Sequence, residues 1–191
     1  MEISLIRHGK SQWIENDKIT FGDFKKWVEN YDAHGVSEET VYPVITIEKV
    51  EAAKLVITSD LKRSIVSAKL LNSTTKTIVD PLYRETELPR KLRILHNIKL
   101  KPKTWAVILR LLWFSGYSNQ CESLEQARSR ALKASQKLIS YASEYDSIVL
   151  VGHGFFNMLI AKELKKVGWK GRKGTGAKHW NCSTYVYEFD K

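Results

Sequence analysis

The chain has 191 residues, a formal net charge of +10, 43% hydrophobic residues and 27% charged residues. These values are typical of one globular domain, so we expect a single domain over 1–191 rather than a disordered or low-complexity chain. Charged residues interrupt the first apolar run, and no run approaches the roughly 18 apolar residues of a membrane span, so we expect neither a signal peptide nor a transmembrane segment. Cys121 and Cys182 match neither a disulfide framework nor a zinc motif, which favours a cytoplasmic location.

The apolar run at residues 1–6 predicts a buried strand, and it ends in Arg7-His8-Gly9. Ligands of α/β folds bind at the carboxyl ends of such strands. A histidine at this position is a candidate nucleophile, an adjacent arginine can hold a phosphate group in a fork, and a glycine lets the backbone turn close to a ligand. By itself the tripeptide could also be a chance surface turn.

The next part of the chain alternates helical and strand patterns. It predicts a partly helical connection over 10–42, a helix over 46–54, a strand over 55–58, a helix over 61–71 with Ile65 and Ala68 on its apolar face together with Leu70 or Leu71, and a short strand over 77–79. Ser59 or Asp60 can cap the helix over 61–71. Arg63 lies in its first turn, where free backbone N–H groups and the helix dipole already favour an anion.

Beyond Pro81 the chain carries two acidic candidates, Glu85 and Glu87. Residues 105–114 then form a segment that is apolar nearly all round. This segment could be buried core. If it is partly exposed, it favours a hydrophobic substrate body, a dimer contact or a membrane surface.

The last third repeats the strand-to-histidine pattern. Ser123–Gln126 is a capping box that starts a helix reaching about residue 142, and the strand over 147–151 ends in Gly152-His153-Gly154. A helix over 155–166, a basic glycine-rich loop and a closing strand over 184–189 follow. This alternation predicts an α/β fold with a mainly parallel central sheet and helices on both faces, a three-layer sandwich.

In this order, the motifs around Arg7-His8-Gly9, Ser59–Ser64, Leu82–Glu85 and Gly152-His153-Gly154 resemble those of the histidine phosphatase superfamily, which includes the cofactor-dependent phosphoglycerate mutases. The resemblance extends over roughly residues 1–190. Each motif is weak alone, and the four together are a strong signal.

The resemblance implies a phosphoglycerate mutase-like fold and a phosphomonoester phosphatase that needs no metal or other cofactor. His8 would carry a transient phosphoryl group, and Arg7, Arg63 and His153 would surround the phosphoryl oxygens. Glu85 would act as the acid and then the base, with Glu87 as the alternative. Fixed cations suit this chemistry because negative charge spreads over the phosphoryl oxygens in the transition state. Residues around 86–120 would form a lid-like insertion.

The chain also departs from the family pattern. Lys10 stands where many members have an acidic residue, and Ile14 stands where many have an asparagine, with Asn16 nearby. These departures leave the substrate open, and they keep two alternatives: a mutase-type phosphoryl transferase and a non-catalytic phosphate-binding protein.

The basic region over 162–178 is expected to be a solvated face that attracts anionic substrates. The substrate would be a phosphorylated small molecule or a phosphoprotein. No RNA-binding pattern is visible, so nucleic acid is an unfavoured partner, and a homodimer is possible.

Overall fold

The computed structural model describes residues 1–71, 74–92, 98–172 and 174–188. The strands within these ranges are β1 (Glu2–Arg7), β2 (Leu55–Thr58), β3 (Thr77–Val79), β4 (Ser147–Gly152), β5 (Lys170–Gly171) and β6 (Cys182–Val186). The helices are α1 (Phe21–Ala33), α2 (Val44–Glu51), α3 (Lys62–Leu71), α4 (Pro102–Phe114), α5 (Leu124–Tyr145) and α6 (Gly154–Lys166), with one 3-10 turn at Pro81–Tyr83.

The described strands form one sheet in the order β3-β2-β4-β1-β6-β5. The first four of these run parallel, β6 runs antiparallel to β1, and β5 runs antiparallel to β6. The predicted mixed, mainly parallel sheet is therefore confirmed. Arg7 pairs with Gly152, and Thr58 pairs with Val151, so β1, β2 and β4 end at the same edge of the sheet. This register brings three of the four sequence motifs together.

Alternating residues of the central strands pack against helices on opposite faces of the sheet. Ile3 and Leu5 belong to a core that contains the buried faces of α5 and α6. Ile6 belongs to a second core that contains buried residues of α2 and α3. Because side chains of a strand point to alternate faces, the apolar runs of the sequence supply both cores, and the three-layer prediction is confirmed.

The helix that follows the capping box forms as predicted and continues to Tyr145. The Ser123 side chain accepts a hydrogen bond from the Gln126 backbone N–H, and the Gln126 side chain accepts one from the Ser123 backbone N–H. The closing strand was placed wrongly at 184–189, because β6 starts at Cys182 and ends at Val186. Its pairing partner decides these limits, since Cys182 lies opposite Ile6 and Val186 lies opposite Glu2. Residue 189 lies outside the described residues.

The buried face of α3 differs from the predicted apolar face. Ile65 is only half-buried, and Ser64 and Ser67 are fully buried. Both serines satisfy backbone groups near the sheet edge: the Ser64 hydroxyl donates to the Val151 carbonyl, and the Ser67 hydroxyl accepts from the Gly9 N–H at 2.9 Å. Polar residues therefore occupy this face because the helix packs on a turn that needs hydrogen-bond partners.

Helix α4 contains the apolar segment over 105–114, and only one side of the helix is buried. Trp105, Leu109 and Trp113 are buried, whereas Val107 is 59% exposed and Leu111 is 64% exposed. The segment thus contributes to the core and also presents an apolar surface. No helix in the described part of the chain is long and apolar enough to cross a membrane.

Candidate active site

His8 follows β1 directly at the carboxyl edge of the sheet, and only 3% of its surface is exposed. Its backbone N–H donates to the Gly152 carbonyl at 3.0 Å, which ties the turn after β1 to the end of β4. Its Nδ1 lies 2.7 Å from the Gly9 carbonyl oxygen. A carbonyl can only accept, so Nδ1 carries the proton and Nε2 keeps a free electron pair. His8 is therefore held in the tautomer that a nucleophilic imidazole needs.

The protonation state of His8 is set by its surroundings. Burial, followed by the positive charge of Arg63, holds the pKa of His8 well below its usual value, and Arg7 acts in the same direction. Because a low pKa keeps the imidazole neutral near pH 7, its electron pair is available for attack.

Arg63, in the first turn of α3, connects His8 to a second layer of side chains. Its Nε lies 3.2 Å from His8 Nε2 and donates to it. Its Nη1 forms an ion pair with Asp32, and its Cζ lies 4.7 Å from the ring centroid of Tyr31. The guanidinium is only 4% exposed. Two residues of α1 therefore orient the arginine, and neither was identified from the sequence.

Arg7 lies at the carboxyl end of β1, next to the start of α6. One Nη donates to the Ala177 carbonyl, whereas its buried Nε has no hydrogen-bond partner among the described residues. An alanine Cβ at Gly154 would lie 3.4 Å from that Nε, so the glycine leaves room for the guanidinium. Because an unpaired buried donor is costly, this atom indicates a position for an anionic partner.

His153 caps α6 and is fully buried, with its ring centroid 5.1 Å from that of His8. Its Nε2 lies 2.7 Å from the Ser59 hydroxyl, and the same hydroxyl accepts from the Leu61 N–H at 3.3 Å. Ser59 can thus donate to Nε2, which leaves the proton of a neutral imidazole on Nδ1. Nδ1 has no partner within the described ranges. Burial, followed by Arg63, lowers the pKa of His153 well below its usual value.

The two acidic candidates have different surroundings. The Glu85 carboxylate accepts the N–H groups of Phe156 at 2.9 Å and Phe155 at 3.2 Å, so it sits at the N-terminus of α6 beside His153. Glu87 instead accepts the Glu122 N–H at 3.0 Å and pairs with Arg90. Glu85 is therefore hydrogen-bonded to α6, the helix that begins after His153, whereas Glu87 is hydrogen-bonded to the segment before α5.

His179 joins the cluster, and sequence reasoning missed it. Its Nδ1 donates to the His8 carbonyl oxygen at 2.9 Å, and the two rings lie 5.5 Å apart. Burial lowers the pKa of His179, although the bond to the His8 carbonyl opposes this shift. The residue directly follows the basic region over 162–178 that was expected to be a solvated face, and no motif or spacing in the sequence connects it with His8.

A cavity of about 830 Å³ opens beside this cluster. Arg7, Arg63, His179 and Glu85 form its polar end, and His8 contacts two of these residues. The remaining wall comes mainly from the loop after His8, from α1, from residues 84–90 and from α4. Ile14 and Asn16 both line it, and the Asn16 amide donates to the Ile14 carbonyl at 3.0 Å. Within the described residues, no group of three or more His, Cys, Asp or Glu side chains could hold a metal ion.

Known structures with this fold were found over almost the whole chain. They include mycobacterial hydrolase 1, with a TM-score of 0.62, 17% identity, and coverage of 96% of this chain and 89% of that chain. A phosphoserine phosphatase variant from Entamoeba histolytica in complex with phosphoserine has a TM-score of 0.60, 12% identity and coverage of 98% and 91%. A mycobacterial glucosyl-3-phosphoglycerate phosphatase in complex with VO3 has a TM-score of 0.57 and 16% identity, with coverage of 96% of this chain and 90% of that chain. At these identities the similarity shows the fold.

The sequence itself matches one family model and no curated protein. The model is that of the histidine phosphatase superfamily (branch 1), and it matches residues 43–191. The match includes the regions of Arg63, Glu85 and His153. Arg7-His8-Gly9 precedes the matched residues, and the structure places this turn beside them. The chain belongs to the histidine phosphatase superfamily.

Proposed function

We propose that this protein is a phosphatase that hydrolyses a phosphomonoester through a phosphohistidine on His8. The observation that carries the proposal is the state of His8: a buried, neutral imidazole with Nδ1 held by the Gly9 carbonyl and Nε2 directed at Arg63. Arg7 supplies a second cation with an unpaired buried donor. A nucleophile between two arginines suits transfer of a group that carries negative charge on its oxygens.

In the first step, the electron pair of His8 Nε2 forms a bond to phosphorus, and the bond between phosphorus and the ester oxygen breaks. The departing oxygen takes a proton from Glu85, which releases the alcohol. Attack requires Arg63 to exchange its hydrogen bond to Nε2 for one to a phosphoryl oxygen. Arg7 and the Nδ1–H of His153 bind the other oxygens. Both buried donors lack a hydrogen-bond partner among the described residues, which supports this assignment.

In the second step, a water oxygen attacks the phosphorus and the bond to His8 Nε2 breaks. Glu85, now a carboxylate, accepts the proton of the water, and inorganic phosphate leaves. We assign this role to Glu85 rather than Glu87 because its hydrogen bonds to the Phe155 and Phe156 N–H groups hold it beside His153. The scheme uses no metal ion.

Hydrolysis of p-nitrophenyl phosphate in the presence of EDTA tests the proposal, with wild type compared with His8→Ala. We expect turnover by the wild type and none by the variant, with the circular dichroism spectrum unchanged. Quenching under alkaline conditions, which preserve a phosphohistidine, should reveal one added phosphoryl group on His8 by mass spectrometry. Retained turnover in His8→Ala would refute the mechanism.

Two other outcomes would point to the alternatives. A phosphorylated His8 that releases phosphate only to an acceptor alcohol, with dependence on a bisphosphate primer, would identify a mutase-type transferase. Tight binding of vanadate without any phosphoenzyme would identify a phosphate-binding protein.

The domain organisation and the lid are part of the same proposal. We infer one domain over 1–191 in which residues 86–120 act as a lid over the phosphate site. Helix α4 belongs to this segment and forms part of the cavity wall, whereas residues 93–97 lie outside the described residues. The substrate is a phosphorylated small molecule or a phosphoprotein. A cytoplasmic location, a homodimer and the absence of nucleic-acid binding stay predictions.

A further inference from the structure

Three aromatic side chains of α1 form a stacked row along the cavity. Phe24 and Trp27 have ring centroids 5.8 Å apart with planes 8° apart, and Trp27 and Tyr31 have centroids 5.2 Å apart with planes 14° apart. All three line the cavity. The row ends at Arg63, whose guanidinium lies over the Tyr31 ring and donates to His8. The stacked rings and the guanidinium cover one another's faces in part, so the row presents mainly apolar ring edges along the cavity, up to the position proposed for the phosphoryl group.

Apolar side chains from two other segments also line the cavity. They are Leu88 and Pro89, and Ala106 and Val107 of α4. The polar atom of Trp27 does not change this character, because its Nε1 donates to the Glu15 carbonyl at 3.0 Å.

Charged side chains also line the cavity. Arg90 forms an ion pair with Glu87, and the buried Arg110 donates to Thr86, so these charges already have partners. Lys25, Glu29 and Lys103 are all exposed, so their charged ends can stay in water. The cavity volume of about 830 Å³ is that of a site for a drug-sized molecule, far more than one phosphate group occupies.

We infer that the substrate is a phosphomonoester whose alcohol carries a large apolar group, such as a fused aromatic ring, that packs against the row formed by Phe24, Trp27 and Tyr31. The inference rests on the proposed function, which places the phosphoryl group at Arg7 and Arg63. A small polar alcohol such as glycerol would leave the apolar lining uncovered, so it would gain little free energy from apolar burial. Apolar burial and edge contacts with aromatic rings are interactions that these residues offer.

The test compares the binding of two non-hydrolysable phosphonates, naphthylethylphosphonate and propylphosphonate, to the full-length protein by isothermal titration calorimetry. Both carry the same head group on a primary carbon, so their affinities differ through the apolar group alone. We expect the naphthyl compound to bind at least about tenfold more tightly. Equal affinities would overturn the inference.

Variants of two lining segments test whether the preference for the naphthyl compound arises in this cavity. Trp27→Ala and Val107→Asn should each narrow the affinity ratio between the two phosphonates, and the two substitutions lie on different helices, so one folding failure leaves the other variant to test the site. Leu111→Asn is the matched control, because Leu111 is equally exposed on α4 but does not line this cavity. It should leave the ratio unchanged. A ratio that persists in both wall variants, or that falls as much in the control, would overturn the inference.

Turnover separates this inference from the proposed function. Equal phosphonate affinities with normal hydrolysis of p-nitrophenyl phosphate would overturn the substrate class and leave the phosphatase. A clear naphthyl preference without hydrolysis of naphthylethyl phosphate would keep the assigned cavity and overturn the phosphatase.

Discussion

Acidification should destabilise this protein through its two buried histidines. The pKa values of His8 and His153 are held well below the usual histidine value in the folded state, mainly by burial. In the unfolded chain both side chains titrate near the usual value of about 6.5. The unfolded state therefore binds more protons than the folded state once the pH falls below that value, and stability is lost as the pH decreases.

The magnitude follows from the same linkage. A histidine that stays neutral in the folded state lowers the free energy of unfolding by about 1.4 kcal/mol between pH 7.5 and pH 5.5. His8 and His153 together should contribute about 2.7 kcal/mol over this interval if both stay neutral. This is a large share of the 5–15 kcal/mol that is typical of a whole domain.

Urea unfolding followed by tryptophan fluorescence at pH 7.5, 6.5 and 5.5 measures this dependence. His153→Asn removes one of the two buried histidines, so we expect it to lose about half of the pH dependence that His8 and His153 contribute together. Thr58→Val is the matched control, because Thr58 is equally buried near the same sheet edge and does not titrate. It should shift stability equally at each pH. A wild-type stability that stays constant from pH 7.5 to 5.5 would refute the reasoning, as would a His153→Asn variant with the full wild-type dependence.

Four further substitutions test the geometry of the site. Gly9→Ala should lower the free energy of unfolding by about 1–3 kcal/mol, since its Cβ would lie 2.0 Å from the buried Trp180 ring; an unchanged thermal midpoint would contradict this. Arg63→Lys should lower kcat/KM on p-nitrophenyl phosphate by about 100-fold, because lysine keeps the charge but loses the forked donors; activity equal to wild type would show that charge alone suffices. Glu85→Gln should lower kcat by about 100-fold or more, whereas Glu87→Gln should change it far less, and the reverse order in steady-state assays would exchange their roles.

The strand-to-turn motifs were readable from the sequence because their signals are local. An apolar run that ends in a glycine-containing turn predicts a strand end, and both Arg7 and His153 lie at such ends in the structure. The capping box at Ser123 and the position of Arg63 in the first turn of α3 are equally local, and both are confirmed. Patterns of this kind need only a few neighbouring residues, so they hold whatever the rest of the chain does.

The ends of strands and the buried faces of helices were harder to predict where a residue far away in the sequence determines them. The closing strand starts at Cys182 because β1 is there to pair with it, and the buried face of α3 is partly polar because the Gly9 turn needs the Ser67 hydroxyl. Neither partner is near in sequence. Periodicity alone selects the most apolar face of a helix, and it therefore favoured Ile65 over the serines.

The sequence by itself determined the fold class, the order of the motifs and the types of side chain at the sheet edge, because short-range patterning encodes these properties. Only the tertiary structure decided that His179 touches His8, that Asp32 and Tyr31 orient Arg63, and that an aromatic row leads to Arg63. These contacts join segments far apart in the chain, and their existence depends on how helices pack over the sheet. The sequence around each of these residues does not identify the distant residue that it contacts, so the packing of the fold brings the cluster together.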